Sequence, residues 1–93
     1  MIGVEYRWTA NRDIYRIQQH YLSISSRSYE TVRQDINSAI RILQTYPLAG
    51  AKIRPKGRVR RIVSSKYRYS ITYLAADDKI EIIGIFRYQN RNV

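Results

Sequence analysis

Basic side chains are concentrated in one segment of this chain. Eight of its seventeen Lys and Arg residues fall within one fifth of the sequence, and no Asp or Glu lies among them. They are Lys52, Arg54, Lys56, Arg58, Arg60, Arg61, Lys66 and Arg68. Arginine binds carboxylates and phosphates through two parallel hydrogen bonds, and lysine binds them as a point charge. The segment therefore predicts a surface for a negatively charged partner, either an acidic protein or nucleic acid.

Few residues are suited to proton transfer or metal binding. His20 is the only histidine, and we expect it to be an exposed residue of a helix. The absence of cysteine excludes disulfides, thiolate chemistry and Cys-ligated zinc. Asp77 and Asp78 are predicted to form a turn and Glu81 to be a charge at a strand edge. Because no third ligand lies close to them, we expect no metal site and no cofactor.

The bulk properties predict one globular domain, residues 1–93, in the cytoplasm. The hydrophobic fraction is 44%, which is ordinary for a folded domain, and the formal net charge is +10. The amino terminus has no apolar segment typical of a signal peptide. No apolar run approaches the ~20 residues that cross a bilayer, so we expect no membrane partner.

The first quarter of the chain predicts a strand followed by a helix. Residues 3–8 alternate apolar and polar side chains, which indicates a half-buried strand with Trp8 in the core. Thr9 is the predicted N-cap of a helix that runs from Ala10 to about Ser25. Its apolar residues, spaced by three and four, form one face. They are Ile14, Ile17, Tyr21 and Ile24.

A second amphipathic helix follows a short polar turn. Ser28 is its predicted N-cap, the helix runs from about Tyr29 to Thr45, and Pro47 stops it. Asp35 is predicted to lie off its apolar stripe. The stripe consists of Tyr29, Val32, Ile36, Ala39, Ile40 and Leu43.

The second half of the chain predicts three strands. Val59 to Val63 is short and basic, and Tyr67 to Tyr73 alternates clearly. Ile80 to Phe86 is apolar at most positions, which indicates a central strand. We therefore predict an α+β fold in which a helical hairpin covers one face of a sheet and the first strand joins beside a late one.

The predicted open face of the sheet displays arginines and tyrosines. Tyr67, Tyr69 and Tyr73 alternate with polar residues, which is compatible with stacking of nucleic-acid bases. Alternating tyrosines more often pack on a core with their hydroxyls at its edge, and this is the interpretation we favour.

Six segments spread over nearly the full length of the chain form a recognisable set. They are Trp8-Thr9-Ala10, Asp13 to Tyr21, Leu43-x-x-x-Pro47-x-x-Gly50, Arg58 to Val63, Tyr67-Arg68-Tyr69-x-Ile71-x-Tyr73 and Ile80-x-Ile82-x-x-Ile85-Phe86. Together they resemble the RelE/ParE superfamily of type II toxin–antitoxin toxins. The resemblance implies a small toxin that is neutralised by an antitoxin encoded beside it. RelE-like members cut messenger RNA on the ribosome, whereas ParE-like members poison DNA gyrase.

The resemblance also indicates which catalytic residues to expect. Cleavage of RNA needs a group that takes a proton, a group that gives one, and stabilisation of the phosphorane. Arg68 matches the arginine of the RelE-like motif, and Arg60 and Arg61 lie near the basic positions of the preceding strand. Arg87 stands where many relatives carry His, which leaves Tyr88 as the candidate proton carrier. This departure favours a ParE-like protein.

The sequence leaves three functions open. The first is a ParE-like toxin of the plasmid-stabilisation type, which binds gyrase and forms a hetero-oligomer with an acidic antitoxin. The second is a ribosome-dependent messenger ribonuclease, and the third is a non-toxic basic domain that binds nucleic acid. The predicted binding surface is the basic segment together with Arg87 and Arg91. The antitoxin's acids are expected on this surface and its apolar residues in the helical hairpin.

Overall fold

Two helices and five strands make up residues 1–87, the part of the chain that the computed structural model describes. The class is α+β, as the sequence predicted. The elements are β1 (Gly3–Tyr6), α1 (Trp8–Leu22), α2 (Ser26–Thr45), β2 (Ala51–Lys52), β3 (Arg60–Val63), β4 (Tyr69–Ala75) and β5 (Lys79–Arg87).

The strands form one mixed sheet in the order β1-β5-β4-β3-β2. β1 runs parallel to β5, and the other neighbours are antiparallel. The first strand therefore lies beside a late strand, and the apolar β5 is internal, as predicted. The short strand β2 was not predicted, because two residues are too few to show an alternating pattern.

The core lies between the helices and the sheet. The apolar stripe of α2 is buried from Val32 to Leu43, and it packs with isoleucines from β4 and β5. Burial of each such side chain contributes about 1.5–3 kcal/mol, so this layer is the main source of stability. The fully buried apolar sheet residues are Ile71, Tyr73, Ile80, Ile82 and Ile85.

The tyrosines of β4 belong to this core. Tyr69 and Tyr73 are 6% and 0% exposed, and the hydroxyl of Tyr69 donates to that of Tyr21 at 3.2 Å. They alternate with Ser70 and share the side of Ile71, which is the side that packs against the helices. Their predicted display on the open face was wrong, and the core interpretation is confirmed.

The start of α1 also differs from the prediction. Trp8 is the first residue of the helix and is 72% exposed, so neither its place in a strand nor its place in the core was right. Arg7, rather than Thr9, is the N-cap. The Thr9 hydroxyl instead donates to the carbonyl of Ile83, and Asp13 Oδ2 accepts from Ile85 N at 3.0 Å. These two side chains, one helical turn apart, therefore supply hydrogen bonds to backbone groups of β5 that lie beyond the end of β1 and have no strand partner on that edge.

The second helix begins earlier than predicted. Ser25 is its N-cap, and the Ser25 hydroxyl accepts from Ser28 N at 3.0 Å. The predicted cap, Ser28, is therefore the donor in this contact and lies in the first turn. Ile24 is 62% exposed because it follows the end of α1.

Candidate anion-binding surface

Strands β2 and β3 form a hairpin, residues 51–63, which carries most of the basic segment. Lys52 pairs with Arg60, and Ile53 N donates to Val59 O at 3.1 Å. Gly57 N donates to Arg54 O at 3.0 Å and closes a four-residue turn. Proline at the second position and glycine at the fourth are typical of such a turn. This Arg-Pro-Lys-Gly signal was the one feature of the sequence that could have revealed the hairpin.

Four cations on the hairpin lack a partner among residues 1–87. The side chains of Lys52, Arg54, Lys56 and Arg58 are exposed and form no ion pair or hydrogen bond there. The reason lies in the sequence, which has no acid between Asp35 and Asp77. The hairpin therefore carries uncompensated positive charge, which attracts anions. The ion pairs of the described residues lie elsewhere: Arg7–Glu81, Arg12–Asp13, Arg33–Glu30 and Lys79–Glu5.

Arg60 has a structural role that its sequence position did not reveal. Its Nη1 donates to Gly50 O at 2.8 Å and to Leu48 O at 3.4 Å. Beside it, the hydroxyl of Tyr73 donates to Pro47 O and accepts from Gly50 N, both at 2.9 Å. Burial raises the pKa of Tyr73, so this hydroxyl keeps its proton and can donate. Arg60 and Tyr73 thus fasten the segment that links α2 to β2.

Arg61 stays with the hairpin, where it is exposed and pairs with Ala51 and Thr72. The remaining basic positions lie toward the other end of the sheet, and Arg68 is in the turn between β3 and β4. Arg87 ends β5 opposite Tyr69, the residue next to Arg68. These positions form a second basic region, which we call the turn end and define as Lys66, Arg68 and Arg87.

The two basic regions are well separated. Arg60, at the base of the hairpin, pairs with Tyr73, which is five residues from Arg68 along the chain. At about 3.3 Å per residue, that separation is about 17 Å. Because Gly50 O and Leu48 O also hold the Arg60 guanidinium on its own side of the sheet, the structure divides the basic segment into two surfaces.

A buried carboxylate holds the turn end in place. Asp35 of α2 is 6% exposed and accepts from Lys66 N at 3.0 Å and from Tyr67 N at 2.8 Å. Burial by itself would raise the pKa of Asp35, but the hydrogen bonds from Tyr67, Lys66 and Ser64 outweigh it and lower the pKa. Within this turn Arg68 has φ 60°, a left-handed conformation that costs free energy for a residue with a Cβ.

Two of the predicted catalytic residues lie apart within residues 1–87. Arg60 is bound to backbone carbonyls, and Arg68 lies at the opposite end of β4. Tyr88, like Arg91 of the predicted binding surface, lies outside the described residues. His20 is exposed on α1, as predicted.

The described residues contain no cluster of three or more His, Cys, Asp or Glu side chains that could hold a metal ion. Among the same residues, neither helix has the length and apolar character needed to cross a membrane.

A small apolar cleft opens between α1, α2 and β5. Its volume is about 60 Å³, enough for the end of one aliphatic side chain. Arg33 and Asn37 of α2 contribute polar groups to its lining, and Arg33 also pairs with Glu30. The helical hairpin was predicted to form such a groove. The other lining residues are Tyr6, Ile14, Ile17, Tyr29, Ile36, Ile40 and Ile85.

Comparison with known proteins supports the fold assignment. No protein-family model matches the sequence, and no curated protein matches it either. Among solved structures, a chain of the "Chromosomal ParDE TA system from P. aeruginosa" is similar, with a TM-score of 0.76 and 20% identical residues. The similarity covers 96% of this chain and 98% of that chain. The chain therefore has the fold of a component of a ParDE toxin–antitoxin system, and the predicted RelE/ParE-like fold is confirmed.

Proposed function

We propose that this chain is the toxin of a type II toxin–antitoxin pair and that it arrests growth by binding DNA gyrase. The observation that carries the proposal is the fold shared with a chain of a ParDE system over nearly the whole length of both. The separation of the arginines also supports the proposal, because a binding protein needs basic surfaces but does not need several catalytic side chains close together.

The arrangement of the arginines favours gyrase binding over cleavage of messenger RNA. A ribonuclease must place its proton carriers and its phosphate-binding groups within hydrogen-bond reach of one phosphodiester. The Arg60 guanidinium is bound to carbonyls of its own chain, and Arg68 lies near the opposite end of β4. Cleavage would therefore depend on Arg61 or Arg68 acting with Tyr88, which makes it the second candidate.

An acidic, amphipathic antitoxin suits two features of the surface. The cleft between α1 and α2 can accept an apolar side chain, and the basic segment can accept carboxylates. Charge reversal at Arg54 and Arg58 tests the second contact without disturbing the fold, since both side chains are exposed and form no ion pair within residues 1–87. Reversal at Arg60 would also remove the bonds that hold the segment after α2.

Charge reversal at Arg16 and Arg41, exposed positions on the two helices, provides the matched control. We expect the hairpin variant to lose co-purification with the antitoxin encoded beside this gene, and the control to keep it. Equal retention by both variants would show that the antitoxin does not use the hairpin.

The function itself is tested by tightly controlled expression of the chain, with growth, plasmid supercoiling and messenger integrity followed in the same cells. We expect arrest with relaxed or broken DNA and intact messenger. Arrest with cleaved messenger, lost in Arg68→Ala, would replace the gyrase proposal with the ribonuclease. Normal growth would favour a non-toxic basic domain that binds nucleic acid.

A further inference from the structure

We propose that the β2–β3 hairpin is a direct contact for duplex DNA, in which it binds backbone phosphates without reading the base sequence. This site goes beyond gyrase binding, because it places the nucleic acid itself on a defined element of the toxin. It requires no catalytic group and no second protein.

The first argument is the supply of available charge. Lys52, Arg54, Lys56 and Arg58 are exposed, and none forms an ion pair or hydrogen bond within residues 1–87. A cation already paired with a carboxylate must break that pair before it binds a phosphate, whereas these four need not. Each phosphate contact releases condensed counterions, which is the main driving force for binding to DNA without sequence preference.

The second argument is the position of the element. β2 is the edge strand of the sheet, and β3 pairs with both β2 and β4, so the hairpin is an exposed edge of the sheet. A four-residue turn closes its tip. Cations lie on both sides of this turn, with Lys52 in β2 and Arg58 just before β3, so several of them can contact phosphates along one duplex backbone.

The third argument separates DNA from an acidic protein as the occupant. Protein interfaces are anchored by aromatic and other large apolar side chains that fill pockets. Residues 51–61 contain no aromatic residue, and Ile53, 49% exposed, is the one large apolar side chain exposed there. The exposed tyrosine nearest in sequence, Tyr46, belongs to the end of α2 rather than to the hairpin. Dense charge without an aromatic anchor suits a polyphosphate better than a protein held by the hairpin alone, and the antitoxin of the proposed function has its apolar anchor in the cleft between α1 and α2 instead.

The experiment measures binding of the purified full-length chain to a short fluorescent DNA duplex of mixed sequence, by anisotropy, at several salt concentrations. The hairpin variant carries Arg54→Gln, Lys56→Gln and Arg58→Gln. A matched control carries Arg16→Gln, Arg27→Gln and Arg41→Gln, at exposed helix positions with no ion pair among residues 1–87. Both variants lose three charges, so the formal net charge falls from +10 to +7 in each.

We expect the slope of log K against log salt to become shallower by about 3 in the hairpin variant, because each lost phosphate contact removes about 0.9. The control should change the slope by less than about 1. Thermal melting should leave both variants folded, since the substituted side chains of the hairpin pack on nothing that supports the core.

Equal losses in the two variants would overturn the proposal, since they would reflect net charge rather than the hairpin. The absence of DNA binding by the unsubstituted chain would overturn it as well. Binding to poly-L-glutamate that depends on the hairpin, with DNA binding unchanged in the same variant, would assign the site to an acidic protein instead. Because the assay contains neither gyrase nor cells, an absence of DNA binding would leave the toxin proposal unaffected. Growth arrest by a chain that does not bind DNA would support the toxin proposal and overturn the DNA-binding proposal.

Discussion

Asp35 offers the sharpest test of how this fold is held together, because one carboxylate fixes the turn between β3 and β4. We consider Asp35→Asn, which preserves the shape of the side chain and removes its charge. The native carboxylate is 6% exposed and accepts two backbone hydrogen bonds, at 3.0 and 2.8 Å from the nitrogens of Lys66 and Tyr67. Each of the two nitrogens donates to a different carboxylate oxygen, so the substitution leaves one neutral hydrogen bond and turns the amide NH₂ toward the other N–H, which is itself a donor.

The cost follows from those two contacts. A hydrogen bond to a charged group contributes about 1.5–3 kcal/mol, against about 1 kcal/mol for a neutral one. Loss of one bond and weakening of the other should therefore reduce the free energy of unfolding by about 3 kcal/mol. A chain of 93 residues has about 5–14 kcal/mol of stability in total, so the variant stays folded. The midpoint of thermal unfolding should fall by about 12–24 °C.

The effect must also depend on pH in one direction. The pKa of Asp35 is lower in the folded chain than the value of about 3.9 expected when unfolded. Its contribution is therefore fully present above the unfolded pKa and disappears as the pH falls through the folded pKa. The stability difference between the native chain and Asp35→Asn should be constant above about pH 5 and shrink steadily below about pH 4.

The assay is urea unfolding followed by circular dichroism, at neutral pH and at several acidic values. The control is Asp77→Asn, which removes the same charge from an exposed turn residue whose side chain has no hydrogen bond within residues 1–87. Equal stability of the two variants at neutral pH would refute the role of Asp35. A difference that persisted unchanged into acid would refute the electrostatic explanation and leave only a steric one.

Three further predictions concern the segment between α2 and β2. Gly50→Ala should lower the free energy of unfolding by about 1–3 kcal/mol, because a Cβ there would lie 2.6 Å from the Tyr73 hydroxyl. Gly3→Ala is the control and should be nearly neutral, since a Cβ there would have nothing within 4 Å in the described residues. Tyr73→Phe should cost about 1–2 kcal/mol in urea unfolding, since it leaves one backbone donor and one carbonyl without their partner. Arg60→Met should lower the free energy of unfolding by about 1–3 kcal/mol, because it removes the hydrogen bond to Gly50 O. Arg58→Met should lower it by less than about 0.5 kcal/mol. A similar loss of stability in both variants would contradict the structural role of Arg60.

The periodic segments were predictable because burial on one side of an element leaves a regular trace in the sequence. The stripe of α2 and the alternation of β4 follow directly from 3.6 residues per turn and from two residues per repeat. The apolar run of β5 likewise predicted an internal strand. Trp8 was wrongly placed in the first strand, since the alternation of apolar and polar residues continues to Trp8 although the helix already begins there.

For the candidate site, the sequence predicted which residues are basic but not how they are arranged in space. The sequence identified the basic residues, and their lack of neighbouring acids in the chain does explain the unpaired cations of the hairpin. It could not show that Arg60 turns inward to Gly50 and Leu48, because those contacts bridge ten and twelve residues. Nor could it show that Asp35 is buried beneath a turn more than thirty residues away.

The sequence by itself thus determined the α+β class, the order of most elements and the sign of the surface, because these depend on local periodicity and on charge counts. The tertiary structure decided which arginines are available to a partner and which are fastened to the backbone. It also decided that one continuous basic segment becomes two surfaces at opposite ends of β4. The physical reason is that hydrogen bonds and strand pairing join residues that are distant in the chain, and no local pattern records those pairings.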